Sequence, residues 1–455
     1  MQAEQFFVMG QTHAVPIYLI TDEQWAQLST EFSAKVRNQV SLQEFTCKNN
    51  ELCIIQNEDG LIDKIYIGCA PTTNPAQIIA MAALTLPAGI YQYQGELTES
   101  VALFWALAQY KFERYKTHAH KPRQLLVPED LYKSLLNSTT AHFLVRDLIN
   151  TPAADMGPEQ LAQTMRQMAQ NFNAEFKEWV GDDLLDNNFP AIHAVGRAAA
   201  QVPRLLSLTW GVPGHPKIAL VGKGVCFDSG GLDIKSAYGM RIMKKDMGGA
   251  AHALGLAMWI MQQNLPVCLQ VLVPAVENAI GPNSFRPGDI LTMRNGLTVE
   301  IHNTDAEGRL ILADALSLAD EQNPDLIIDF ATLTGAARTS VGTEISALFT
   351  NDDEIAHAII AAGHETSDPI WRLPLYQPYD EYLKSNVADM ANCSDHPYAG
   401  AIIASLFLKR FLRPDVSWVH FDIMAWSERN KPGKPEGGEA MGLRAMMHFL
   451  LSRYQ

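Results

Sequence analysis

The chain has 455 residues, 47% hydrophobic and 19% charged, with 50 acidic against 35 basic side chains and a formal net charge of −15. This is the composition of an ordinary globular protein of two or three domains, and it argues against a surface built on a global excess of positive charge for nucleic-acid phosphates. The six cysteines (Cys47, Cys53, Cys69, Cys226, Cys268 and Cys393) form no CxxC pair, which excludes a zinc-finger spacing and a disulfide framework and fits a reducing cytoplasm.

Met1–Ile20 has no Lys or Arg ahead of its apolar stretch, so no secretory signal is expected. No apolar run reaches the length of a membrane span. Residues 1–135 read as a smaller N-terminal α/β domain. Strands are expected at Ala14–Ile20, Leu52–Gln56 and Ile65–Ile67, and helices at Ala76–Leu86 and Ser100–Tyr115. Lys116–Asp130, basic and with Pro122 and Pro128, reads as a connection between domains. Residues 136–455 read as the catalytic domain. A helix is expected over Ser138–Leu148, ending before Asn150-Thr151-Pro152, where the residue preceding proline is driven from helical geometry. Strands at Ile218–Val221, Cys268–Ala275, Leu326–Phe330 and Val416–Ile423 then alternate with helices at Gly248–Gln263, Arg309–Asp320 and Ala401–Phe411; Asn278–Ser284 reads as a loop. That rhythm predicts an α/β fold, with a mostly parallel sheet flanked by helices and a site at the carboxyl ends of its strands.

Three clusters carry chemistry. Gly222-Lys223-Gly224-Val225-Cys226-Phe227-Asp228-Ser229-Gly230-Gly231, continuing to Lys235, leaves a buried strand; Lys244-Lys245-Asp246 opens the Gly248 helix; Asp305, Glu307 and Arg309 open another. The glycines do not fit a nucleotide: the P-loop spacing fails at Lys217 and Gly224, and the dinucleotide spacing fails at Phe227. No H-E-x-x-H occurs. Four carboxylates with adjacent lysines suit two hard divalent ions that share bridging oxygens and lower the pKa of a water to about 7. A lysine held near such cations has a depressed pKa and serves either as a neutral ligand or as an electrophile.

Asn303-Thr304-Asp305-Ala306-Glu307-Gly308-Arg309-Leu310, Gly222–Lys235 and Lys245–Ala250, together with Asn150-Thr151-Pro152 and Ala331–Ala336, resemble the leucyl aminopeptidase (cytosol aminopeptidase) family, metallopeptidase type M17. The resemblance covers roughly residues 140–445. It implies a metallo-exopeptidase that releases N-terminal amino acids from peptides with a free N-terminus. It further implies two zinc or manganese ions, bridged by Asp228 and Glu307. Lys223 and Asp246 would complete the tighter site, and Asp305 the more exchangeable one. By the same resemblance Lys235 stabilises the tetrahedral intermediate formed by a bridging hydroxide, and Arg309 holds a bicarbonate base. Met243, Asn303, Thr332, Leu333 and Gly335 match substrate-pocket positions, and family members are typically homohexamers. The chain departs from the family at Asp422-Ile423-Met424-Ala425-Trp426, two residues shorter than usual, so a preference for leucine does not carry over. Ser427–Glu439 reads as a pocket rim, His302 as packed or supporting, His420 as a core histidine and Cys226 as a buried thiol. The rival readings are a two-metal phosphoesterase, which lacks the expected ligand histidines, a DNA-binding role resting on the modest basic patch Lys116–Arg123, and a scaffold that has lost its chemistry.

Overall fold

A computed structural model describes residues 2–117 and 121–455. The chain forms two compact units, one of residues 1–143 with Glu428–Glu436, the other of residues 144–427 with Gly437–Gln455.

The first unit is built on a six-stranded sheet in the order Phe7–Val8, Gln124–Leu126, Ile90–Tyr93, Val15–Ile20, Ile62–Gly68, Leu52–Gln56; only the last pair is antiparallel. Pro75–Thr85 and Glu99–Ala108 bury alanine-rich, leucine-rich and aromatic faces in its core. The helix expected over Ser100–Tyr115 stops at Ala108. Its next residue, Gln109, is buried and turns its amide to Arg123, accepting from the Arg123 N–H and donating to its carbonyl, each at 2.9 Å. The expected connection Lys116–Asp130 contains the strand Gln124–Leu126, where buried Leu125 pairs with both Phe7 and Tyr91. Three residues are too few for a period-two pattern to show. His118–His120, within the basic patch, lie outside the described residues. The helix expected from Ser138 begins at Glu129, after Pro128 and with Glu129 and Asp130 in its first turn, and runs to Asn150. Acids there complement the helix dipole. Glu428–Glu436, inside the expected pocket rim, belongs to this first unit, and Gly433 packs against the Phe104 ring.

The second unit carries the main sheet. Its strands are β1 (Glu175–Val180), β2 (Arg204–Trp210), β3 (Lys217–Gly222), β4 (Gly224–Asp228), β5 (Cys268–Asn278), β6 (Leu326–Ala331), β7 (Ser346–Thr350), β8 (Ile370–Arg372) and β9 (Ser417–Asp422). They are ordered β8-β7-β9-β6-β3-β5-β2-β1, with β4 also on β5. The centre, β9-β6-β3-β5, is parallel, and antiparallel pairs occur towards both edges. β6 is buried along its whole length and β3 at all but its first residue, as a sheet covered on both faces requires. Helices α1 (Gly248–Gln263), α2 (Gly308–Glu321) and α3 (Gly335–Val341) follow site loops. The fold is therefore the expected two-domain α/β architecture, its main sheet mixed rather than uniformly parallel. β5 runs three residues past the expected Ala275, which places Asn278 at the site. No described helix is long and apolar enough to cross a membrane.

Candidate metal centre

The site grows from the ends of β3, β4 and β6. Beyond β3 the backbone of Lys223 is held on two sides: its N–H donates to Phe330 O of β6 (3.0 Å), and its carbonyl accepts from Ala250 N of α1 (2.8 Å). Its buried side chain lies against Gly308, where a Cβ would stand 2.4 Å from Lys223 Cε. β4 carries one residue more than β5 between the pairs Val225↔Val276 and Asp228↔Asn278. Such a bulge re-aims the side chain that follows it, here Asp228. Gly230, at φ +88°, turns the chain back, so that its N–H donates to Asp228 Oδ1 (2.9 Å) and Lys235 N–H reaches Ser229 O (3.0 Å). Asp246 comes from the 3-10 turn Met243–Met247 ahead of α1, and Asp305 and Glu307 from the loop into α2.

These residues meet. Lys223 Nζ lies 2.7 Å from Asp246 Oδ2 and 3.0 Å from Glu307 Oε1. Lys235 Nζ lies 2.8 Å from Asp228 Oδ2 and also pairs with Asp305. Asp228, Asp305 and Glu307 each bring a carboxylate oxygen within 4.8 Å of the others. Of the expected metal and catalytic residues, six are thus joined in one cluster. Arg309 points elsewhere: its buried guanidinium donates through Nη1 to Asn392 O (2.8 Å), and its Nε makes no hydrogen bond.

Burial dominates the electrostatics. It raises Glu307 to about 8 and Asp305 to about 6, in both cases with help from the Asp228 charge. Asp228 is held below its ordinary value, because Lys235 and Lys223 overcome the burial that opposes its charge. Burial also opposes the Lys223 ammonium, but Asp246, Glu307 and Asp228 outweigh it and hold the pKa above the ordinary lysine range. Lys245 is the contrasting case, lowered to about 8 by burial.

Among the described residues, Asp246 Oδ2, Asp305 Oδ1 and both carboxylate oxygens of Glu307 are buried and accept no hydrogen bond. The lysine contacts to them fall within ion-pair distance but outside hydrogen-bond geometry. Buried anionic oxygens in this condition are costly unless a cation takes them. Four carboxylates and an amine, without a thiolate or imidazole, form a hard donor set fitted to divalent ions.

The expected pocket residues lie around the cluster. Met243 is buried at the head of the Asp246 turn. Thr332 Oγ1 donates to Asp246 Oδ1 (2.7 Å). Leu333 N–H donates to Asp422 Oδ1 (3.0 Å), Gly335 starts α3, and exposed Asn303 accepts from Asp305 N–H (2.7 Å). His302 is half-buried between Glu300 (3.2 Å) and Asp395 (3.5 Å). His420 is a core residue whose Nδ1 meets Asp329 at 2.6 Å, and burial raises the thiol of Cys226.

Sequence reasoning missed the residues that hold this cluster in place. Asn278 Nδ2 donates to Asp228 Oδ1 (2.9 Å) and to Thr304 O (3.1 Å). Thr304 Oγ1 donates to Gly230 O (2.7 Å) and accepts from Asp233 N–H (2.9 Å). Buried Asn392 accepts from the N–H groups of His302 (2.8 Å) and Asn303 (3.3 Å) and donates to Asn303 O (2.7 Å). Asn392 follows Ala388-Asp389-Met390-Ala391, and its short amide amid apolar residues was the one signal available.

A buried carboxylate and lysine cluster at the carboxyl end of a central parallel sheet is the arrangement of an α/β protein with a site able to hold a metal ion. Residues 143–447 match the cytosol aminopeptidase family catalytic domain, and residues 15–128 the M17 aminopeptidase N-terminal domain. The chain belongs to the cytosol aminopeptidase family, a family of metallo-exopeptidases of the leucyl aminopeptidase type. A probable cytosol aminopeptidase of Syntrophotalea carbinolica is 44% identical over 311 residues, an alignment spanning 68% of this chain and 62% of the relative. Another, of Geobacter sp. strain M21, is 39% identical over 78% of this chain and 75% of its own. The crystal structure of a cytosol aminopeptidase from Coxiella burnetii is 45% identical, superposes with a TM-score of 0.95 and covers 99% of both chains. The bottromycin maturation enzyme BotP in complex with Mn is 28% identical with a TM-score of 0.87, over 97% of this chain and 99% of its own.

Proposed function

We propose that this chain is a metal-dependent aminopeptidase that removes the N-terminal residue from peptides, and that Lys223, Asp228, Asp246, Asp305 and Glu307 hold two divalent ions, zinc or manganese. The observation that carries the reading is the set of buried carboxylate oxygens on Asp246, Asp305 and Glu307 that accept no hydrogen bond. Ions held there supply a nucleophilic water near neutral pH and Lewis-acid polarisation of the peptide carbonyl. The chain supplies the rest. Lys235, poised between Asp228 and Asp305, donates to the carbonyl oxygen as negative charge develops on it. Removing one such preorganised donor costs about 10²–10³ in rate. Arg309, anchored by Asn392 O and with Nε unused, would hold a bicarbonate, which would supply the general base. The carboxylate-rich site receives the free amino group of the substrate, which makes cleavage exopeptidic. Met243, Asn303, Thr332, Leu333 and Gly335 border the substrate, the expected domain division at residue 135 separates the N-terminal module, and the enzyme works as a cytoplasmic homohexamer.

A panel of aminoacyl anilides, assayed with manganese or zinc, tests this. Hydrolysis is expected only with a free amino group, and none on phosphoesters. Silence on every free-amino substrate, with metal bound, would sink the proposal. Glu307→Gln is expected to lose metal and activity together while remaining folded by circular dichroism; surviving activity would remove the bridging role. Sedimentation velocity checks the six-copy assembly.

A further inference from the structure

We propose that Asp233 is a positioning residue for the reaction: by clasping Thr304 it fixes the loop from which the Lys235 ammonium acts. This rests on the aminopeptidase reading, in which Lys235 donates to the carbonyl oxygen, and extends it to the loop that carries that lysine.

Lys235 stands at the far end of a short loop that leaves β4 just after Asp228 and closes on itself, Lys235 N–H donating to Ser229 O at 3.0 Å. The root of the loop is held by β5: Ser229 Oγ donates to Asn278 O (2.6 Å) and accepts from Gly231 N–H (3.2 Å). Its tip has no apolar anchor. Leu232 is 44% exposed and Ile234 59%, and among the described residues neither makes a hydrogen bond. Asp233, between them, supplies the tie. Its N–H donates to Thr304 Oγ1 (2.9 Å), and its Oδ2 accepts from Thr304 N–H (2.8 Å). The approach is close: a Cβ on Gly231 would stand 2.9 Å from Thr304 Oγ1. Thr304 is fully buried and directly precedes Asp305, with which Lys235 pairs. The two-way clasp therefore joins the loop of Lys235 to the loop of its partner.

The carboxylates on either side of Lys235 have supports of their own. Asp228 accepts from Asn278 Nδ2 and Gly230 N–H, and the Asp305 loop is held by Asn392 through His302 and Asn303. The Asp233 hydrogen bonds duplicate neither. Removing them loosens the Lys235 arm while Asp228 and Asp305 keep their anchors. The lysine is sensitive to such a change, because its long side chain is only partly buried and takes its direction from the backbone that carries it. A displacement of about 1 Å in a reacting group can cost roughly 10²-fold in rate. The loss is therefore expected in turnover and not in metal binding, the opposite of a residue that holds the metal ligands.

The test uses the manganese-loaded full-length enzyme and an aminoacyl anilide, with manganese affinity measured by competition with a chelator. Asp233→Ala is expected to lower kcat about 10–100-fold, the usual loss when a partner that orients a site group is removed, with KM and manganese affinity unchanged. Asp233→Asn, which keeps an acceptor in place, is expected to retain most of the activity. Asp233→Glu, which keeps the charge but lengthens the arm, is expected to lose it; thermal melts check that each variant folds. In a Lys235→Ala background, itself slower by about 10²–10³-fold, Asp233→Ala should cost little more, because residues that act through one another are not additive. An unchanged kcat in Asp233→Ala would overturn the inference, as would losses that add in the double variant. A parallel loss of manganese affinity would also overturn it, making Asp233 a support of the metal ligands. Inactivity of the wild type on every free-amino substrate defeats instead the aminopeptidase reading beneath it.

Discussion

Asn392 shows how much of the site depends on a residue outside every motif. Its side chain binds backbone groups at His302 and Asn303, its N–H donates to Glu300 O, and its carbonyl takes the Arg309 guanidinium. It thereby fixes the loop that carries Asp305 and Glu307 and sets the direction of Arg309. Asn392→Ala would leave buried N–H and C=O groups unpaired, at about 1–3 kcal/mol for each group. Loss of a residue that orients metal ligands typically costs about 10–100-fold in metal affinity or activity, and that is the fall expected in manganese affinity, measured by competition with a chelator, and in kcat/KM. Reduced stability with manganese affinity unchanged would make Asn392 a packing residue only. The proposed ligands were legible because Asp228, Asp246, Asp305 and Glu307 stand in dense local strings. Asn392 was not, because its partners lie 83–92 residues away in sequence.

Among the elements, α1 was readable end to end. Its small and apolar residues are buried on nearly every side, and Asn264 closes it in the left-handed conformation. What holds it in place was not readable. His252 lies buried in α1; its Nδ1 is 2.6 Å from Gly248 O, and its Nε2 accepts from Met441 N–H (2.8 Å) just before the C-terminal helix Leu443–Tyr454. The ring is therefore neutral, and burial pushes its pKa from 6.5 down to about 4. The unfolded chain takes up this proton from about pH 6.5, the folded chain only near 4. The His252 contribution to stability is thus complete above 6.5 and is lost progressively as the pH falls to 4, amounting to about 3 kcal/mol. Urea unfolding between pH 7 and 4 should show this slope, and His252→Gln should flatten it; an unchanged slope in the variant would assign the effect to other groups. The element boundaries that differed share a cause. Gln109, Leu125 and Asn278 each end or extend an element through a partner distant in sequence, which local periodicity does not contain.

For the whole molecule, the excess of 50 acidic over 35 basic side chains includes several charges gathered at one buried point. A ligand that binds only the folded state stabilises it by RT ln(1 + [L]/Kd), about 2.7 kcal/mol at a free concentration of 100 times Kd. Manganese or zinc should therefore raise the melting temperature in scanning calorimetry and a chelator should lower it, with the shift absent in Glu307→Gln. A melting temperature indifferent to metal would contradict the metal centre. The sequence by itself determined the α/β class, the family and the residues able to carry the chemistry, because strand and helix periodicity is local and the site residues travel in short strings such as Asn303–Leu310. The tertiary structure decided the rest. It placed Lys223 between Asp246 and Glu307 and turned Arg309 to Asn392. Burial and pairing are sums over neighbours drawn from the whole chain, and no stretch of sequence holds those neighbours together.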